Sequence, residues 1–422
     1  MNKTLFVCLL GLFLIGCAST KKKIARTTDT ALASPFYDNQ FTGFLVLDSD
    51  TNDTLYAYNS KKYFTPASNT KIFTLYAALQ FLPAEVPAIK YIDRIDTLYV
   101  EGTGDPSFLH PFIEDSTALN FLRSHKNIAV HLNNFEGDAY GPGWSWGDYQ
   151  YYYQPERSPL PLYGNVVTLL NSEGLKVTPS LFKDKVIPIN FDRQRDLDAN
   201  IFYYGKSRRD TVEIPFKTDS TLTRQLLEDV LEKKITIIDR MPSGDKSILY
   251  GQPSDTLYRR MMHESDNMIA EQLLLLASGT LSDTLSSERV RDSVLKNQLS
   301  ALRQPPRWVD GSGLSRYNLF TPESMVHVLH KLSREIPKDR LFALFPAAGI
   351  SGTLENWYPD SSEPYIFAKS GSLSNNYCIS GYLITKSGKT LIFSFMNNHY
   401  RAQTSEVKKR MQRIFDGIRD SY

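Results

Sequence analysis

The peptide Pro66-Ala67-Ser68-Asn69-Thr70-Lys71 runs directly into Ile72-Phe73-Thr74-Leu75-Tyr76-Ala77-Ala78-Leu79, and the rest of the chain is best read outward from it. Ile72, Phe73, Leu75, Tyr76, Leu79 and Leu82 recur at helical spacing, so the stretch predicts a buried helix with Ser68 at its start. Lys71 then lies one turn on, on the same face, where its amine can reach the serine hydroxyl. A serine is a poor nucleophile until a neighbouring base takes its proton. A lysine is that base only where desolvation and nearby positive charge lower its pKa. Ser-x-x-Lys by itself is a weak signal, because it recurs at Ser19, Ser180, Ser243, Ser293 and Ser405. The setting separates them: Ser19 stands in a polar stretch and Ser243 in a Pro/Gly turn.

Two more peptides follow in order, Ser265-Asp266-Asn267 and Lys369-Ser370-Gly371. A second Lys-Ser-Gly, beginning at Lys386, reads as a hairpin turn between apolar strands. The ordered triple resembles the pattern of penicillin-binding proteins and serine β-lactamases. That resemblance implies a role for each residue. Ser68 is the nucleophile and Lys71 its base, with Lys369 as the charge that lowers the pKa of Lys71. Ser265 relays a proton to the leaving amine, and Asn267 fixes the lysine and the substrate amide. Lys369 and Ser370 grip the substrate carboxylate, Gly371 avoids a clash, and the N–H groups of Ser68 and Ser372 form the oxyanion hole.

The likeness extends past the triple. Gly104-Asp105-Pro106, Pro142-Gly143-Trp144 with Trp146 and Asp148, Asp310-Gly311-Ser312-Gly313-Leu314-Ser315-Arg316, and Ala348-Gly349 with Gly352-Thr353-Leu354 stand in the same order as signatures of the class C low-molecular-mass penicillin-binding proteins. The chain therefore resembles the D-alanyl-D-alanine carboxypeptidase/endopeptidase family over nearly its whole length. Two departures are small: Glu101-Gly102-Thr103 precedes Gly104 where glycines are usual, and Ser370 replaces a threonine but keeps the hydroxyl. The family implies hydrolysis of peptidoglycan stem peptides through an acyl-enzyme on Ser68, with β-lactams as covalent inhibitors. It also makes Asp148 a partner for an amino group on the stem peptide, such as that of diaminopimelate, and Arg316 a second pocket residue. Without the family, the aromatic cluster around Asp148 reads as core of the insert, and Arg316 as surface.

The same triple would serve a serine β-lactamase. Class A enzymes carry an added water-activating glutamate soon after the second motif, and residues 295–309 contain no acidic residue. A non-catalytic peptidoglycan-binding lipoprotein is the remaining alternative. It would tolerate loss of the serine or lysine, and both are present.

Periodicity supplies the fold expectation. Residues 41–47 and 54–58 read as two strands, and 366–370, 377–385 and 390–396 as three more, with a closing amphipathic helix over 405–418. An α/β (α+β) fold follows: a five-stranded antiparallel sheet covered by helices, with N- and C-terminal segments meeting in one sheet. Ser265 and Asn267 fall between helical patterns at 257–263 and 268–277. The 197 residues from Ser68 to Ser265 exceed what a helical lobe needs, and strand-like, turn-rich sequence fills the gap. The expected division is a transpeptidase-like domain at 36–85 and 246–422 with a β-rich domain inserted at 86–245.

Residues 1–17 resemble a lipoprotein signal, with Lys3, an apolar stretch over 5–15 and Leu14-Ile15-Gly16-Cys17 at the end. The apolar stretch is well short of the roughly 18 residues that cross a bilayer. Cleavage would leave Cys17 lipidated, with 18–35 as a solvated tether to the membrane of the bacterial periplasm. Of three cysteines, Cys8 leaves with the signal, so Cys378 alone remains in the folded part and reads as buried core. A formal charge of +2 without a basic stripe argues against nucleic acid. His327 and His330 lack the further ligands of a zinc site. No metal or cofactor is expected.

Overall fold

A computed structural model describes residues 21–359 and 363–422. Two strands from one end of the chain and three from the other form the main sheet. Its order is Ile366–Leu373, Asn376–Ile384, Thr390–Asn398, Phe41–Asp48, Thr54–Tyr58, antiparallel throughout. The central pairing of Phe41 with Asn398 through Asp48 with Leu391 joins the two ends of the chain. The second Lys-Ser-Gly lies in the turn between Asn376–Ile384 and Thr390–Asn398, with Gly388 at φ 83°.

Both faces of this sheet are covered. On one face lie the helices Lys71–Phe81, Ser254–His263, Asn267–Ser278 and Pro322–Glu335, in a core that includes Phe73, Leu274 and Tyr382. Asn267–Ser278 buries every residue from Met268 to Ser278, as expected of a helix that is apolar nearly all round. The other face is closed by Thr404–Ser421, which buries Val407, Met411, Ile414, Phe415 and Ile418 along one stripe.

Beside that helix the chain departs from expectation. Residues 21–32 are helical, whereas the polar composition of 18–35 reads as a tether. Ile24, Thr28 and Leu32 are buried at every fourth position, and Asp29 accepts a 2.7 Å hydrogen bond from the Tyr56 hydroxyl. Three lysines at 21–23 outweigh so narrow a stripe in composition, but a stripe one residue wide per turn is enough to dock a helix. Residues 1–17, with Cys17 and the signal, lie outside the described residues, as do 18–20.

The insert has a core of its own, with Val130, Leu169 and Phe202 fully or almost fully buried. Its larger sheet runs Ile235–Ile238, Ile128–His131, Leu98–Gly102, Glu85–Asp93, Ser247–Pro253. Two pairings there are parallel, those that Ile128–His131 makes with its two neighbours. Val212–Pro215, Val166–Asn171 and Leu175–Thr178 form a smaller antiparallel sheet. Ser247–Pro253 pairs with Glu85–Asp93, so the larger sheet reaches past 245. We propose 85–253 as the extent of the inserted domain.

Among the described residues, no helix is long and apolar enough to cross a membrane.

Candidate active site

Ser68 stands in the 3-10 turn Ala67–Thr70, and the α-helix starts at Lys71, three residues later than the apolar pattern implies. Ala67 takes a φ of 50°, in the left-handed region that a residue with a Cβ enters only when its surroundings hold it there. The turn brings the two side chains together: Lys71 Nζ lies 3.1 Å from Ser68 Oγ. The same amine donates to Asn267 Oδ1 at 2.6 Å and to the Ser312 carbonyl at 2.7 Å. Lys71 is fully buried, and burial lowers its amine to about 8 against the opposing pull of Asp310, Glu271 and Asp266.

Each acceptor around Lys71 is held from behind. Asn267 donates its Nδ2 to the Tyr153 carbonyl at 2.8 Å, which turns its amide oxygen towards the lysine. It opens the helix Asn267–Ser278, capped by Asp266, whose carboxylate accepts from Ile269 N and from Arg260 Nε. Ser265 precedes that cap at φ 58° and lines the cleft. The Ser312 carbonyl belongs to a loop organised by the buried Asp310, which accepts from Trp144 Nε1, Gly313 N, Ser315 N and Asn318 Nδ2 at 2.6–2.9 Å. Gly313 sits at φ 86°, and a Cβ there would lie 2.0 Å from the Ala67 carbonyl oxygen. Only glycine lets this loop approach the serine turn so closely.

The strand Ile366–Leu373 forms the facing wall. Asn69 fastens it to the serine turn by donating to the carbonyls of Lys369 and Cys378 at 2.9 and 3.2 Å. A Cβ at Gly371 would meet Pro66 O at 2.6 Å and the N atoms of Ser68 and Asn69 at 2.8 Å, which is the close backbone approach the motif implies. Lys369 is fully buried and donates to the Ser370 carbonyl at 2.8 Å. Burial first, and then the Lys71 charge, hold its amine well below the usual lysine range. Burial is the largest influence lowering both amines, and the charges of Lys71 and Lys369 disfavour one another. Ser370 Oγ donates to Thr353 Oγ1 at 2.8 Å. Cys378, on the next strand, is fully buried.

Ser68, Ser265, Asn267, Ser370 and Ser372 open onto one cleft of about 980 Å³. Asp148 and Arg316 line it too, as parts of its wall and not of the bonded group around Lys71. Asp148 lies on the turn Trp146–Gln150, and with burial its carboxylate pushes the Tyr153 phenol up to about 12. Arg316 is exposed.

Several contributors carry no role in the sequence reading. The Tyr153 and Ser312 groups act through main-chain oxygen, which no side-chain pattern reveals. Thr353 belongs to a recognisable peptide, yet its bond to Ser370 is a matter of tertiary placement. Glu271 did leave a signal, as a single carboxylate within the otherwise largely apolar run Met268 to Ala277.

A family model described as the D-Ala-D-Ala carboxypeptidase 3 (S13) family matches residues 24–184 and 206–418. D-alanyl-D-alanine carboxypeptidase DacB of Haemophilus influenzae is 23% identical over 477 aligned residues, covering 98% of this chain and 97% of its own. A D-alanyl-D-alanine carboxypeptidase of Actinomadura sp. is 25% identical over 89% of this chain and 81% of its own. The crystal structure of penicillin binding protein 4 from Haemophilus influenzae shares the fold, with a TM-score of 0.72 at 21% identity over 92% of this chain and 97% of that one. With a match that runs through both the main sheet and the insert, the chain belongs to the D-Ala-D-Ala carboxypeptidase 3 (S13) family and is a serine-type peptidase of the penicillin-binding kind.

Proposed function

We propose that Ser68 attacks the carbonyl of the penultimate D-alanine in a peptidoglycan stem peptide, releasing the amine beyond it, and that water then hydrolyses the acyl-enzyme. The observation that carries this assignment is the bonding of Lys71. A neutral amine has two N–H groups and one lone pair. Asn267 Oδ1 and the Ser312 carbonyl have no proton to give, so both must accept from the lysine. The lone pair is then left for Ser68 Oγ at 3.1 Å, and the serine proton moves to Lys71. Ser265, which opens onto the cleft, passes a proton to the leaving amine. Ser370 holds the substrate carboxylate, with the buried Lys369 behind it as the positive charge, and the N–H groups of Ser68 and Ser372 take the developing oxyanion.

Asp148 is the proposed partner of a stem-peptide amine, and Arg316 a second substrate-binding residue of the cleft wall. Purified peptidoglycan digested by the protein should yield muropeptides shortened by one D-alanine or freed of cross-links, identified by mass. Asp148→Asn should slow cleavage of a diaminopimelate-containing peptide about tenfold to a hundredfold, the value of a charge-assisted hydrogen bond, and leave acylation by a simple β-lactam unchanged. Equal losses on both substrates would make Asp148 a support of the fold.

The substrate lies outside the cytoplasmic membrane, and the enzyme works in the periplasmic envelope. We propose further that it is anchored there through a lipid on Cys17, since Leu14-Ile15-Gly16-Cys17 closes the signal-like segment. Labelled palmitate should enter the wild type and not Cys17→Ser. Equal incorporation by the two would reject the anchor.

A further inference from the structure

Glu271 stands four residues after Asn267, one turn along the same helix. It is 1% exposed and takes no part in the cleft wall, yet it is bonded to the loop that holds the base. Its Oε1 accepts from Ser312 N at 2.7 Å, and the carbonyl of that same Ser312 receives Lys71 Nζ. Its Oε2 has no hydrogen-bond donor and faces the Arg157 guanidinium at 3.6 Å. Arg157 gives its shorter bonds elsewhere, to the carbonyls of Asp138 and Tyr140. A buried carboxylate is costly unless it is paired, and the partners of this one are the main-chain N–H of the loop beside the base and a guanidinium from the insert.

The charges around it and around Lys71 come from six elements. Arg157 faces Glu271 from the insert, Arg291 from the helix Ser287–Ser293 and Asp310 from the serine-facing loop; Lys71, on its own helix, feels Glu271 and Asp310 together with Asp266 at the head of the Asn267–Ser278 helix and Lys369 on the facing strand. Burial and Asp310 raise the Glu271 carboxyl, and Arg157 and the Ser312 N–H oppose them. Arg157 and Arg291 face Glu271 and Asp310, and Arg260 pairs with Asp266, so removing one carboxylate charge changes the balance felt by the Lys71 amine. Glu271 and Asp310 are the two largest pulls that counter the effect of burial on Lys71. A general base works best when its pKa lies near the working pH, and burial without such a counterweight would take the amine lower.

We propose that Glu271 is a positioning residue for the base, acting through the Ser312 main chain on where the Lys71 amine points and through its charge on how readily that amine takes a proton. The inference rests on the assignment of Ser68 and Lys71 above. Its test is the rate of acylation by a fluorescent penicillin across pH, per active site, with the full chain.

Glu271→Gln keeps an oxygen for Ser312 N and removes the charge. The variant is expected to hold most of the plateau rate, while the rising limb of its pH profile moves to lower pH by about half a unit or more. The direction follows because losing a nearby negative charge favours the neutral amine. Glu271→Asp keeps the charge on a shorter arm, so its limb should stay in place and its plateau should fall on the order of tenfold. A limb that stays put in a folded Glu271→Gln protein overturns the proposal. A limb that moves in Glu271→Asp overturns it equally, whether or not the glutamine variant folds. Ser68→Ala separates the two levels: label persisting on that variant rejects the nucleophile itself, whereas a silent Ser68→Ala with an unmoved limb in Glu271→Gln rejects only the role of Glu271.

Discussion

Treated with a fluorescent penicillin and digested, the protein is expected to give one labelled peptide, the one that contains Ser68, and Ser68→Ala is expected to give none. Ser180, Ser243 and Ser293, which share this spacing, stand in other settings. Ser180 opens a 3-10 turn in the insert and donates its hydroxyl to Asp229 at 3.1 Å. Ser293 ends a helix and accepts from Asn297 Nδ2 at 3.2 Å, and Ser243 sits in an exposed turn. Neither Ser180 nor Ser293 opens onto the cleft that holds Ser68. A label mapped to Ser180 or Ser293, or one that survives Ser68→Ala, rejects the assignment.

Lys71→Ala should reduce acylation by ~10² to 10⁴, the usual loss when a general base is removed. The remaining rate would come from the oxyanion hole and from binding, which the substitution does not touch. The wild-type rate should climb as pH rises through about 8, because only the neutral amine can take the serine proton and its lowered pKa sets that window. With Lys71→Ala the climb should vanish along with the rate. Circular dichroism and a melting curve guard against loss of fold, since the truncation leaves Asn267 Oδ1 and the Ser312 carbonyl without their donor. Near-normal acylation by a folded Lys71→Ala protein would point to a different base.

Much of this site is legible in the chain because its chemistry is carried by side chains in short peptides. Ser68 with Lys71 needs only one helical turn, and the strand Lys369-Ser370-Gly371 needs only alternation and a missing Cβ. The main sheet is legible for a similar reason: 54–58 is a strand as read, and the stripe of the closing helix is the one that periodicity marks. Local patterns failed where the deciding contacts are distant. The helix over 21–32 is stabilised by what it docks against, the Thr404–Ser421 helix and Tyr56, and its own composition gives little sign of that. The weight of burial on the two lysines is likewise not visible in the peptides: it is the largest influence lowering both amines, beside the mutual repulsion that the motifs suggest.

The dependence of Lys71 on the insert has a consequence for quality control. Ser68 and Lys71 are neighbours in any partly folded molecule, but the carbonyl that orients Asn267 comes from Tyr153, and the indole that braces Asp310 comes from Trp144. Both contacts span more than a hundred residues of sequence, and pairings so remote form late, after the separate units have folded and met. Until they do, the Asn267 side of the setting around the amine is incomplete. Activity at this site should thus report on the meeting of the two parts and not on the Ser68–Lys71 peptide alone, and on refolding it should return no sooner than the contacts of Tyr153 and Trp144 form.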